Sequence, residues 1–406
     1  MTDDELLFDA EARIEEMRKA DVTVTVLDAA GQLVPNAHVQ VEMTRHEFLF
    51  GCNVFPVLGY NDPALETAYE NQFAGLFNYA TLPFYWGSYE PEPGQTQQVK
   101  LAAQARWCRE HGITPKGHPL VWHEVYPKWA PTEPEQTREK LKARIADVVG
   151  RFSGLVGIWD VVNEVTVSQN FDNGVGHWVC RDGAAAVVEE SLRWTHAANQ
   201  GALLLYNDYN LQADFETLAA TLIAKDAPVD AFGLQSHMHH GEWPLAKAWE
   251  HCETYARFGK PLHFTELTVI SGEHGWELPK PWVTTPEGEA RQADYVERLY
   301  TLLFSHPAVA AITWWDFNDG AWMGAPSGLV RADLTPKPAY ARLLKLVKDA
   351  WWTRADLQTA STGQTCFRGF CGEYSVTVTS PAGACSKDFL VRRGDRNAIC
   401  LVVGVR

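Results

Sequence analysis

The chain has 406 residues, 46% apolar and 21% charged, a globular balance that excludes a predominantly disordered or fibrous protein and leaves room for about two or three average domains. With 35 basic against 51 acidic residues the net charge is −16, histidine counted neutral, so a polyanion is repelled and nucleic acid is excluded as a partner. No run of about 18 apolar residues occurs, so the sequence offers no membrane-spanning helix.

The chain opens on an acidic segment, with Asp3, Asp4, Glu5, Glu11, Glu15 and Glu16 around an apolar face at Ile14 and Met17, which predicts a helix and not a basic-then-apolar leader. That start fits a secreted protein whose signal has been trimmed away, or a cytoplasmic one whose sequence is native from Met1. Residues 22–50 then change period. Val22, Val24 and Val26 alternate with polar residues, Asp28-Ala-Ala-Gly31 marks a turn, and Val39 and Val41 resume the alternation, which predicts a β-hairpin.

From there, short apolar runs rich in β-formers alternate with longer amphipathic segments at 97–111, 135–152, 184–199 and 288–305. The runs fall at 49–55, 77–82, 115–121, 157–162, 202–206, 231–235, 261–265 and 311–315. Eight strands, each followed by a connection and a helix within about 300 residues, predict an α/β chain built as a (β/α)8 TIM barrel. No strand is followed by a glycine-rich phosphate-binding loop, which argues against a nucleotide cofactor. Near the C-terminus alternation returns at 374–379, 389–391 and 399–403. Isolated hairpins are marginal in water, so the N- and C-terminal segments are expected to pack together as one small accessory β-sandwich. The expected division is 1–44 and 351–406 for that fold and 45–350 for the catalytic barrel.

Cys52, Cys108, Cys180 and Cys252 are scattered and read as buried thiols, whereas Cys366, Cys371, Cys385 and Cys400 crowd the C-terminal end. Those four allow two disulfides in three connectivities or four free thiols, and fit a zinc site less well because only the first pair is close together. The run His237-Met-His239-His240 lacks a supporting carboxylate pattern and reads as a polar loop, so no metal is expected.

In a barrel the active site is built at the C-terminal strand ends. Strand three ends in His118-Pro-Leu-Val-Trp122-His123, strand four in Trp159-Asp-Val-Val-Asn163-Glu164, and strand five in Tyr206-Asn-Asp-Tyr209-Asn210. Strand six gives Gln235-Ser-His237, strand seven Thr265-Glu266, and strand eight Trp314-Trp315 followed by Trp322. Glu164 and Glu266 thus open from separate strands into one cavity lined by indoles and imidazoles. Two carboxyl groups across a scissile bond are what glycoside hydrolysis needs, without metal or cofactor. The chain holds 16 Trp against 13 Tyr and 5 Met, a surplus that suits sugar rings or an aromatic core. Trp86, Trp122, Trp315 and Trp322 follow strand ends. Trp276 and Trp282 lie in the long segment after strand seven, where a sugar-stacking role competes with packing. Trp107, Trp194, Trp249, Trp351 and Trp352 read as packing residues.

Trp159-Asp-Val-Val-Asn-Glu164, Asn207-Asp-Tyr-Asn210, Leu234-Gln-Ser-His237, Phe264-Thr-Glu266 and Lys337-Pro-Ala-Tyr340 together resemble glycoside hydrolase family 10, the xylanase family, over about residues 45–345. The resemblance implies hydrolysis of β-1,4-xylosidic bonds with retention, a xylan-type polysaccharide or oligosaccharide as partner, and no cofactor. It implies Glu164 as acid/base, Glu266 as nucleophile, and His118, Trp122, Asn163, Gln235, His237, Trp315 and Trp322 as substrate-binding residues; Trp86 and Tyr209, and by their place in the long segment Trp276 and Trp282, are further candidates. Family members usually carry, after the second strand, a Glu-Asn…Lys-Trp stretch whose polar groups bind the sugar one unit back on the non-reducing side. Here 77–86 reads Phe-Asn-Tyr-Ala-Thr-Leu-Pro-Phe-Tyr-Trp, two residues shorter, with Trp86, Glu90 and Pro91 retained. The usual Gln after Trp-His-Ser is also absent, the chain running Trp122-His-Glu-Val125, and Thr268 stands where an Asp often supports the nucleophile's histidine. The first two departures imply a remodelled or closed glycone subsite and an alternative, an exo-acting or side-chain-tolerant β-glycosidase of the same fold, and Thr268 implies a slower or differently tuned activity. A catalytically inactive sugar-binding barrel is the reading from another class; the sequence leaves the oligomeric state open.

Overall fold

The computed structural model of the chain describes residues 2–238, 241–273 and 282–404. The chain divides into two compact units, one of Met1–Leu49, Glu297–Pro307 and Ala341–Arg406, the other of Phe50–Val296 and Ala308–Tyr340. In chain order the strands are β1 (Lys19–Leu27), β2 (His38–His46), β3 (Leu49–Asn53), β4 (Tyr79–Pro83), β5 (Thr114–His118), β6 (Ile158–Asn163), β7 (Leu203–Asp208), β8 (Ala231–Leu234), β9 (His237–Met238), β10 (Leu262–Val269), β11 (Val309–Trp314), β12 (Arg354–Gln358), β13 (Gln364–Phe370), β14 (Gly372–Ser380), β15 (Gly383–Val391) and β16 (Ala398–Val402).

In the larger unit β3, β4, β5, β6, β7, β8, β10 and β11 hydrogen-bond in that order, and β11 pairs with β3 to close a (β/α)8 barrel. The pairs from β3 through β11 are parallel. Every residue of β6, β8 and β10 is buried, the pattern of parallel strands covered on both faces, and this is why their apolar residues fall on both faces instead of alternating. The intervening helices present one apolar stripe each. In the helix Pro134–Phe152, Leu141, Ile145, Val148, Val149 and Phe152 are buried at helical spacing, Pro134 takes the first turn, and the Glu133 side chain accepts from Gln136 N. Close approach between strands needs glycine at two points. A Cβ on Gly117 would lie 2.1 Å from the Trp159 indole, and one on Gly233 would lie 2.4 Å from Asn207 Oδ1. Among the described residues no helix is long and apolar enough to cross a membrane.

The smaller unit is a β-sandwich of segments from both ends of the chain. One sheet runs β13-β1-β16, the other β12-β2-β14-β15. Alternate residues bury a shared core of Val22, Val24 and Val26 with Ile399 and Leu401 from the first sheet and Val39, Val41, Val376 and Val378 from the second. Phe367 and Tyr374 meet across the sheets with ring centroids 5.9 Å apart. The hairpin expected over 22–50 is corrected: β1 and β2 lie in different sheets. Both long edges of β1 are taken by β13 and β16, and both edges of β2 by β12 and β14, so the connection between them crosses from sheet to sheet. All eight cysteines are free thiols. Cys366 and Cys400 sit on opposite sides of β1, opposite Thr23 and Thr25, two strand spacings of about 4.8 Å apart and beyond the reach of a disulfide.

Candidate active site

Glu164 follows the last residue of β6 in a left-handed conformation, φ 55° and ψ 39°, which costs about 1 kcal/mol for a non-glycine residue. The turn is held by Glu164 N donating to Asn207 O at 2.9 Å. Three donors converge on its carboxyl group. Trp122 Nε1 reaches Oε2 at 2.9 Å, while Gln235 Nε2 and Asn163 Nδ2 reach Oε1 at 2.7 and 3.1 Å. Burial and the neighbouring charge of Glu266 outweigh those donors and push the Glu164 carboxyl up to about 8. His123, whose Nε2 is 3.9 Å from Oε2, is lowered to about 4 by burial and stays neutral at neutral pH.

Glu266 lies within β10 and is equally buried, yet its environment acts in the opposite sense. Burial raises it, but attraction to His118, the His237 hydrogen bond and charge, and Lys116 more than offset this and hold the carboxyl below its ordinary value. His237 Nε2 is 3.0 Å from Oε2, and Asn207 Nδ2 donates to Oε1 at 2.7 Å. His118 Nε2 stands 3.8 Å from Oε1, and its Nδ1 is 2.7 Å from Asp160 Oδ2, which also pairs with Lys116 Nζ at 2.6 Å. His237 Nδ1 is 3.2 Å from Thr268 Oγ1, so a hydroxyl orients the ring.

Asn207 joins the two halves. Its Nδ2 also donates to Asn163 Oδ1 at 2.7 Å, and its Oδ1 accepts from Thr265 Oγ1 at 2.5 Å. A short chain of hydrogen bonds through Asn163 and Asn207 therefore runs from one carboxyl group to the other. An acid that keeps its proton at neutral pH and a carboxylate that does not are thus held side by side, which suits acid-assisted displacement.

Aromatic rings border this pair in an unbroken arc. Trp122 meets Tyr85 at 5.4 Å, Tyr85 meets Phe55 at 5.9 Å, and Phe55 meets Trp315 at 5.7 Å. Trp315 then meets His237 at 6.1 Å, and His237 stacks on Trp322 at 4.8 Å with the rings 1° from parallel. Asp316, pushed up to about 6 by burial, accepts from Trp322 N at 3.1 Å and Ser327 Oγ at 2.6 Å and so fixes the Trp322 loop.

The structure brings together Glu164, Glu266, His118, Trp122, Asn163, Gln235, His237, Trp315 and Trp322. Tyr209 is 49% exposed, and nearby Glu164 contributes to raising its phenol, after burial. Two other candidates go elsewhere. Trp86 is buried, donates to Glu90 Oε2 at 3.2 Å and packs edge-on against Tyr126 and Trp129, so it offers no face to a sugar. Trp282 is buried with Ile270 and Ala325 in a cluster on which Trp322 packs. Trp276, His239 and His240 lie outside the described residues. The sequence reading missed Phe55, Tyr85 and the linking role of Asn207. Phe55 ends the apolar run 49–55 and Tyr85 follows the run 77–82, so strand-end position was the available signal. Among the described residues no three His, Cys, Asp or Glu side chains are grouped to hold a metal ion.

The sequence profile of glycosyl hydrolase family 10 matches residues 60–346. The chain is similar to the anti-sigma-I factor RsgI6 of Acetivibrio thermocellus, at 28% identity over 92% of this chain and 46% of that one, and so spans about half the length of that relative. It is 28% identical to endo-1,4-β-xylanase B of Thermotoga neapolitana over 65% of this chain and 78% of that protein. Among solved structures it is similar to xylanase 10B from Thermotoga petrophila RKU-1 in complex with xylobiose, with a TM-score of 0.63 and 25% identity over 75% of this chain and 95% of that one.

Proposed function

The chain belongs to glycosyl hydrolase family 10 and is a xylanase-like glycoside hydrolase, and from that premise we propose that it cleaves β-1,4-xylosidic bonds in xylan and xylo-oligosaccharides by double displacement. Glu266 is the nucleophile and Glu164 the acid/base. The observation that carries this is the opposed environment of two buried carboxyl groups, one pushed up to about 8 and the other held down. Glu266 attacks the anomeric carbon as Glu164 gives its proton to the departing oxygen, and a glycosyl ester forms on Glu266. The ester carries no charge, so the repulsion that raised Glu164 falls. Glu164 then takes a proton from water as that water attacks the anomeric carbon, and Glu266 leaves as a carboxylate. Asn207 and His237 hold Glu266 throughout, while Trp122 and Gln235 hold Glu164. Asn163, bonded to Glu164 on one side and Asn207 on the other, is the residue that meets the 2-hydroxyl of the reacting sugar.

Release of single units from one chain end is a second reading, supported by aromatic Phe55 and Tyr85 standing where polar contacts to the preceding sugar are usual. Hydrolysis of xylohexaose by the wild type and by Glu266→Ala tests the first reading. Near-total loss in the variant is expected; equal rates would leave a sugar-binding barrel without this chemistry.

A further inference from the structure

Resting on the double-displacement reading, we infer that Tyr85, backed by Phe55, is a specificity-determining residue that ends the cleft behind the reacting sugar and recognises the free 4-hydroxyl of a non-reducing chain end. In a β-1,4-linked chain the next glycone unit is attached at that hydroxyl, so whatever stands there decides whether the chain can continue. The Tyr85 ring is half-buried and fixed from three sides, at 5.4 Å from His118, 5.4 Å from Trp122 and 5.9 Å from Phe55. Phe55 in turn lies edge-on to Trp315 at 5.7 Å. Between the two indoles, Tyr85 and Phe55 therefore present carbon surface with one polar side-chain atom on it. No side-chain hydrogen bond holds that atom, the Tyr85 hydroxyl, among the described residues. Burial, then Glu266 and Glu164, raise the phenol, so it remains a neutral donor beside the reacting centre.

A second glycone sugar would bury most of its hydroxyl groups against the ring carbons of Phe55 and Tyr85, where the Tyr85 hydroxyl can partner no more than one of them, which opposes its binding. A terminal 4-hydroxyl meets one neutral partner, which favours it.

The test is the first-product pattern from xylohexaose, followed by chromatography for the wild type, Tyr85→Phe, Tyr85→Gly and Phe55→Ala, with a xylohexaose capped by 4-O-methyl at the non-reducing end as second substrate. The wild type should release xylose and xylopentaose first and cleave the capped substrate at least about 10-fold more slowly. Tyr85→Phe should keep that pattern and lose roughly 10-fold in kcat/KM on the uncapped substrate, one neutral hydrogen bond. Tyr85→Gly and Phe55→Ala should open the wall and raise internal products at least about 10-fold. Because Phe55→Ala enlarges the same wall from the other side, it decides the matter if Tyr85→Gly does not fold. Internal products from the wild type, equal cleavage of the capped substrate, or an active opened variant with the wild-type pattern would overturn the inference while leaving the hydrolytic reading intact. A wild type inactive on every xylo-oligosaccharide would instead remove the hydrolytic reading itself.

Discussion

Replacing Glu164 with Gln keeps the shape of the side chain and removes its titration. Moving this carboxyl group from 4.5 to about 8 corresponds to roughly 5 kcal/mol against its ionised form. In the wild type, activity should therefore fall as pH rises through about 8, while the loss at low pH, set by Glu266, should come below 4.5. An amide has no proton to give, so kcat/KM on xylohexaose should drop by roughly 10²–10⁴-fold and its alkaline limb should vanish. Aryl xylosides whose phenols leave unaided should lose far less in bond cleavage. Stability moves the other way. A carboxyl group whose folded value is raised stabilises fully below 4.5, and that contribution is lost as pH climbs through about 8. The Gln variant has no such loss and should be more stable than the wild type at pH above about 8, by at most roughly 5 kcal/mol. The gain is reduced because Trp122, Gln235 and Asn163 all donate to this side chain, and the amide N–H must face one of them. The measurements are pH profiles of kcat/KM on both substrates and urea unfolding at acid and alkaline pH. A variant that keeps the wild-type rate on xylohexaose, or keeps the alkaline limb, would refute the assignment of the acid.

Asn207→Ala removes a donor to the ionised Glu266, a contact worth about 1.5–3 kcal/mol, so kcat should fall by roughly 10- to 150-fold and the acid limb should move to higher pH; steady-state kinetics across pH check both. Gly233→Ala forces a methyl group against Asn207 Oδ1 and should cost about 1–3 kcal/mol in urea unfolding together with a loss of kcat, whereas a site indifferent to Asn207 would show the first effect alone. Glu266→Ala should lower turnover by roughly 10⁴-fold or more on xylohexaose and on aryl xylosides alike, since neither route can bypass the nucleophile.

The barrel was legible because its parallel strands are covered on both faces and so most of them carry apolar residues at consecutive positions, bounded here within a few residues of the observed strands; β5, Thr114-Pro-Lys-Gly-His118, shows that pattern least. The sandwich was legible in composition but not in pairing. Period-two alternation marks Val22–Val26 and Val39–Val41 as strands, but nothing local says that their partners lie near the other end of the chain. The strands β12 and β13 escaped notice because most of their residues are exposed or half-buried. Strand-end position located both glutamates and the imidazoles. Side-chain direction is not in the sequence, and so Trp86, in a short helix at Trp86–Tyr89, turns toward Glu90 and Trp129 instead of the cleft. The role of Asn207 was hidden for the same reason, since its partners arrive from β6 and β10, 44 and 59 residues away.

The central claim is that Glu266 becomes covalently bonded to the sugar. A 2-deoxy-2-fluoro-β-xyloside with an activated phenol leaving group should trap that state, because fluorine at carbon 2 destabilises the oxocarbenium-like transition state and removes the 2-hydroxyl whose hydrogen bonds strengthen in it. Peptide mass spectrometry of the inactivated protein should find one fluoropentosyl group, on Glu266, and none in Glu266→Ala. An adduct on another residue, or hydrolysis without an adduct and with inverted product configuration, would contradict the account.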